Sequence, residues 1–147
     1  MKKTAEVNLQ FDAAVLLLRL SAGGFLLPHG LGKLFGWFGG PGLGGFVQEL
    51  AQFGLPATPA VALVLAVVQS LFGLSVLLGA WTRISAIVAA GFIATTVWIA
   101  LPHGWFWMGT GVEYPLMWLA ALLSVALLGG GRFSIDGLRA SNLDGRS

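Results

Sequence analysis

PAVALVLAVVQSLFGLSVLLGA, Pro59 to Ala80, contains no charged residue, and its largest polar side chain is Gln69. A helix needs about 20 mostly apolar residues to cross the hydrocarbon core of a bilayer, and this run has that length. It does not alternate apolar and polar residues with period two, which argues against a membrane β-barrel. Pro59 suits a first helical turn, where its missing N–H costs nothing.

Working outward, three more runs share this character. ISAIVAAGFIATTVWIAL, Ile84 to Leu101, is also uncharged and follows the tight turn Trp81-Thr82-Arg83. AAVLLLRLSAGGFLLPHGL, Ala13 to Leu31, precedes the opening run. PLMWLAALLSVALLGGG, Pro115 to Gly131, begins on a first-turn proline and ends on three glycines that suit a helix terminus. The expectation is an all-α integral membrane four-helix bundle. Its spans are about 13–31, 59–80, 84–101 and 115–131.

Composition agrees. Of 147 residues, 56% are hydrophobic and 10% charged; soluble domains carry about 25% charged residues. The mean hydropathy is +0.85. So short a chain cannot hide that much apolar surface in its own core, so the excess faces lipid. With no cysteine, thiolate nucleophiles, iron–sulfur ligation and cysteine-type zinc are excluded. No close histidine pair points to a metal. A net charge of +2 without a basic cluster argues against nucleic acid.

Met1-Lys2-Lys3 resembles the start of a signal peptide. However, Glu6 and Asp12 precede the first apolar run, Arg19 interrupts it, and no small-x-small cleavage site follows. The first span is expected to be retained. Lys2, Lys3, Arg83, Arg132, Arg139 and Arg146 fall on one side of the spans and Lys33 alone on the other. The positive-inside rule then places both termini in the cytoplasm. The expected organisation is a cytoplasmic segment 1–12, a membrane domain 13–136 and a cytoplasmic polar tail 137–147, in a bacterial inner membrane.

GPGLGG, Gly40 to Gly45, spells G-x-G-x-x-G. In a dinucleotide fold that motif follows a strand; here it follows a membrane helix, on the non-cytoplasmic side. Gly32-Lys33 is followed by Leu34, so the Ser or Thr of a phosphate loop is missing. Nucleotide binding is therefore rejected. Residues 30–45 contain eight glycines interleaved with Leu31, Leu34, Phe35, Trp37 and Phe38. This suits a segment packed in the headgroup layer or folded back over the helices. In FVQELAQFG, Phe46, Leu50 and Phe53 share one helical face, which predicts a short interfacial amphipathic helix.

Four stretches in order resemble the DoxX family of small four-helix membrane proteins: FLLPHGLGKLFGWFGGPGLGGF, QSLFGLSVLLGAWTRISA, HGWFWMGTGVEYPLMWLA and GGGRFSID. The resemblance covers about Leu18 to Asp136. It implies a link to quinone-dependent respiration or to quinone and oxidative stress. Many relatives carry glutamate at the position of Gln69, and this chain departs from that pattern.

Arg19 is the costliest residue, because arginine at a helix centre costs about 2.5–3.5 kcal/mol on insertion scales. It shares a face with Ala22, Gly23, Leu26, Gly30 and Lys33. Gln69 lies on a face with Ala62, Ala66, Gly73 and Ala80, and similar depth is expected for the two, with a hydrogen bond between them. Either Arg19 is a packing strut held by Gln69, backbone carbonyls and serines, or it helps hold an electron-rich ligand such as a quinone carbonyl or an anion. His29, Lys33, His103, Glu113 and Tyr114 gather at the outer helix ends. A histidine with a carboxylate neighbour can exchange protons near neutral pH; the same set can also be ordinary helix-end polarity. Trp98, Trp105, Phe106 and Trp107 suit an aromatic belt. Ala86, Ala90 and Ala94 form a small-residue packing face, within the bundle or between subunits. Asp136 is a candidate cap for a juxtamembrane turn.

The candidate ligand site is thus Arg19, Gln69, His29, Lys33, His103, Glu113 and Tyr114. No covalent cofactor and no metal are implied, and a quinone is the candidate ligand. The chain has no electron carrier, so redox work would need a partner subunit. A non-catalytic scaffold or assembly subunit, a homo-oligomer and a small transporter are the competing readings.

Overall fold

The computed structural model describes the backbone of residues 2–144 and the side chains of residues 9–143. The side chains of Lys2, Lys3 and Glu6, and Arg146 entirely, lie outside the described residues. Among these residues every regular element is helical. The α-helices are α1 (Lys2–Phe35), α2 (Gly42–Gln52), α3 (Pro59–Leu78), α4 (Thr82–Ala100), α5 (Glu113–Leu128) and α6 (Ile135–Asp144).

Among the described residues three apolar stretches are long enough to cross a membrane: Leu9–Phe35, Pro59–Leu78 and Thr82–His103. Only 28%, 33% and 33% of their apolar windows are buried inside the protein. Leu17, Phe25, Val64, Leu71, Ile84 and Ile87 point outward, as lipid-facing side chains do. The helix α5 is equally apolar but has 16 residues. At 1.5 Å per residue it measures about 24 Å, short of the ~30 Å hydrocarbon core.

Local chemistry sets the boundaries. Thr58 caps α3 by accepting from the Val61 amide at 3.3 Å, with Pro59 in the first turn. The left-handed Gly79 (φ 68°) ends α3, and Gly129 ends α5. Pro28 lies inside α1, leaving the carbonyl four residues earlier without its usual donor.

Packing follows small residues. A Cβ on Gly23 would lie 2.5 Å from the Leu77 amide nitrogen and 2.7 Å from the Gly73 oxygen, so α1 and α3 cross with their backbones nearly touching. The core between α1, α3, α4 and α5 contains Ala22, Leu26, Val76, Ala86, Ala89, Ala90, Ile93 and Leu122. Ala86 and Ala90 therefore pack inside the protein, whereas Ala94 and Gly91 are exposed. A second cluster joins Phe46 and Leu50 of α2 to Ala62 and Ala66 of α3. The expected amphipathic helix is thus present as α2, its apolar face laid against α3. The glycine-rich segment folds back over the end of α1, with Gly40 so close to Gly32 that a Cβ there would meet its backbone. The tail, read from sequence only as polar, forms α6.

Candidate functional site

At one end of the protein a network closes the helices. Arg19 is 2% exposed. Its guanidinium donates to Val76 O (3.1 Å), Leu77 O (2.8 Å), Gly130 O (2.7 Å) and Phe133 O (2.8 Å). These carbonyls belong to the last turn of α3 and to the segment after α5. Helix C-termini leave carbonyls unpaired and carry partial negative charge, so one cation serves both ends. Asp136 does the reverse at the start of α4. Its carboxylate accepts from the Trp81 amide (2.9 Å), the Thr82 amide (2.8 Å) and the Thr82 hydroxyl (2.7 Å). The capping role anticipated for Asp136 is thereby located. Asp12 accepts from the Arg132 amide (2.9 Å), and Ser134 Oγ accepts from the Gly137 amide (2.9 Å) at the start of α6.

This geometry corrects the expected Arg19–Gln69 pair. Arg19 lies level with the end of α3, beyond hydrogen-bond contact with Gln69, which is seven residues earlier and about 10 Å away along the helix. The reason is length. The helix α1 starts at Lys2, so the midpoint of α1 is not the midpoint of the packed helices. The strut alternative describes Arg19, with backbone carbonyls as its partners.

The opposite end holds a cavity of about 720 Å³, inside the ~300–1,000 Å³ range of small-molecule sites. His29 and Lys33 of α1, Glu49 of α2, His103 after α4, and Tyr114 of α5 line it. Its walls are apolar and aromatic, including Phe46, Phe92 and Trp107. A second cavity of about 500 Å³ adjoins it, sharing His29, Lys33, Glu49 and Tyr114 and adding Gln69 and Trp118. Lys33 Nζ stands 4.2 Å from the Phe46 ring centroid and 5.7 Å from that of Phe92, an arrangement that holds an ammonium by cation–π attraction. Trp118 organises the inner wall. Its Nε1 donates to Ala22 O at 2.9 Å, and its ring meets His29 edge-on at 5.2 Å and Tyr114 at 5.5 Å.

Four of the expected site residues, His29, Lys33, His103 and Tyr114, thus share the larger cavity, and Gln69 joins three of them in the smaller. Arg19 and Glu113 line neither. Glu113 opens α5 with its amide bonded to Trp105 O at 3.0 Å. The carboxylate in the cavity is Glu49 of α2, a residue that the sequence analysis did not single out. Trp118 was also missed; its spacing four residues after Tyr114 was the available signal. Chemically, the cavity offers donors (Lys33, Tyr114), groups able to exchange protons (His29, Glu49) and flat apolar walls.

Helices long enough to span a bilayer, lipid-facing outer surfaces and a cavity between helix ends define a multi-pass membrane protein. The DoxX family model matches residues 14–102, and the chain belongs to the DoxX family. Comparison with curated proteins and with solved structures finds no match.

Proposed function

We propose that this protein crosses a bacterial inner membrane four times, with both termini cytoplasmic. It holds the head group of a lipid-soluble quinone in the cavity between α1, α2, α4 and α5. A partner oxidoreductase supplies or removes the electrons, since the chain has no redox group. The observation that carries this reading is the convergence of His29, Lys33, Glu49, His103 and Tyr114 on one apolar-walled cavity of about 720 Å³. A quinone ring needs flat apolar contact, donors for its two oxygens, and proton exchange when it changes oxidation state. The residues there match each need. On this reading α5 makes the fourth crossing together with the glycines after it.

The competing readings draw less support. A transporter needs a polar path across the membrane, and Arg19, offered as part of such a path, is instead committed to four backbone carbonyls. A scaffold subunit would use small-residue faces to hold partners, and on α4 Ala86 and Ala90 of such a face are taken up in internal packing.

The test is mass spectrometry of molecules retained after mild detergent extraction, with quinone titration of the purified protein. Retained quinone, and binding weakened at least tenfold in Lys33→Ala and His29→Ala, is expected. Absence of quinone together with no titratable binding would refute the reading. So would binding that survives both substitutions.

A further inference from the structure

Gln69 is 4% exposed, and its Oε1 is fully buried without a hydrogen-bond partner. Buried polar atoms are nearly always paired with protein or ordered water, so this one needs a reason. The helix α3 begins at Pro59. Gln69 therefore lies about 15 Å along it, about half of a ~30 Å hydrocarbon core. It lines the smaller cavity of about 500 Å³, together with His29, Lys33, Glu49 and Tyr114. Lys33 and the His29 ring carry donors, yet neither is bonded to Gln69 Oε1. Polar groups that share a cavity but stand beyond bonding range are joined by water where there is room. A water needs a roomy, polar site with about two to four partners, and this cavity supplies both.

The two ends of the cavity differ. Its rim is the glycine-rich segment with Trp37, Phe38 and Gly39, all three exposed; a Cβ on Gly39 would meet nothing within 4 Å. Toward Arg19 the space is filled by Ala22, Leu26 and Val76, none more than 1% exposed. We propose that the smaller cavity is a water-filled vestibule, open at the glycine-rich segment, reaching Gln69 at mid-membrane and closed beyond it. Its water touches His29 and Glu49, and so gives the ring site a proton route to one side of the membrane. The proton route rests on the quinone-site reading above; the water does not.

The experiment places single cysteines in this cysteine-free chain, in lipid nanodiscs, and times their reaction with a small sulfonate-bearing methanethiosulfonate. A thiol reacts as its thiolate, which forms in water and not in lipid or a packed core. Gln69→Cys should react at least tenfold faster than Leu71→Cys, which faces outward on the same helix, and than Val76→Cys in the packed core. Ile93→Cys, on α4 in the wall of the same cavity, serves where Gln69→Cys folds poorly, with folding followed by elution profile. Under saturating decyl-substituted benzoquinone the Gln69→Cys rate should hold. The rate of Ala100→Cys, which lines the larger cavity alone, should fall at least tenfold. Gln69→Cys and Ile93→Cys both as slow as Leu71→Cys overturn the vestibule. Val76→Cys as fast as Gln69→Cys overturns its closed end. Protection of Gln69→Cys by the quinone gives the smaller cavity to the ring and overturns the proton route. Ala100→Cys left unprotected refutes the quinone-site reading and leaves the water standing.

Discussion

At the scale of single residues, Arg19 shows how a buried cation is accommodated without a carboxylate. Four carbonyls share its charge, and the planar guanidinium fork suits several fixed acceptors at once. Arg19→Leu removes that donor from all four; Val76 O keeps the Gly79 amide at 3.2 Å, but each carbonyl left unpaired in a buried site costs roughly 1–3 kcal/mol. The expected result is a loss of 3 kcal/mol or more on the order-of-magnitude scale of such networks. It would be read as a large drop in the melting temperature of detergent-purified protein. Arg19→Lys should recover only part of that loss, because an ammonium has three donors and no fork. If Arg19→Leu melts like the wild type, the bonds contribute nothing and the strut assignment is wrong.

At the scale of elements, two junctions carry the helix arrangement. The α1–α3 crossing relies on Gly23, where a Cβ would strike the α3 backbone. Backbone cannot yield as a flexible side chain can, so Gly23→Leu should force the helices apart. The expected cost is about 1–3 kcal/mol, seen as earlier unfolding; an unchanged melt would show that the crossing has slack. The other junction is the start of α4. Trp81 adopts a left-handed conformation there (φ 43°), and Asp136 bonds the Trp81 and Thr82 amides. Burial works against the Asp136 charge. Even so, the Thr82 and Trp81 bonds and the nearby Arg139 prevail, and the carboxyl is held below its usual range. A folded pKa below the unfolded one gives stabilisation that is complete above the unfolded value of about 3.9. That contribution fades as pH falls below it toward the folded value. Asn has one acceptor oxygen where Asp136 uses two, Oδ1 for the Trp81 amide and Oδ2 for the Thr82 amide and hydroxyl, so Asp136→Asn should lose about 1 kcal/mol at neutral pH and show a shallower fall in melting temperature below about pH 4. Parallel acid profiles for the two proteins would remove Asp136 from this role.

At the scale of the whole molecule, the two ends differ in kind. One is closed by caps and shared carbonyls, and the other opens into the cavity. The proposed orientation can be checked cleanly because the chain has no cysteine. A cysteine at Gly39 should react with an impermeant maleimide in intact spheroplasts. A cysteine at Ser141 should react only after permeabilisation. The opposite pattern would invert the topology and put the cavity on the cytoplasmic side.

Much of this was legible beforehand. The uncharged runs around Gln69 and Ala90 exclude a soluble fold, because apolar surface of that extent has no core in a chain of this length to enter. The helix limits at Pro59 and Gly129 follow from local backbone chemistry, which needs no distant partner. The convergence of His29, Lys33, His103 and Tyr114 was anticipated from topology, since all four sit at helix ends on one side. Relative depth was not legible. Hydrophobicity marks which residues can enter a membrane but not how far one helix slides along another, so Arg19 was set against Gln69 instead of the end of α3. Glu49 was likewise invisible as a cavity residue. Its side depends on which face of α2 docks on α3, and that is decided by Phe46 and Leu50 packing onto Ala62 and Ala66. Sequence alone marked which stretches are apolar enough to cross a bilayer and where α3 starts and α5 stops, at Pro59 and Gly129, because those depend on transfer free energy and local backbone geometry. Only the tertiary structure decided which polar groups meet, because that depends on helix register and rotation, set by contacts between residues far apart in the chain.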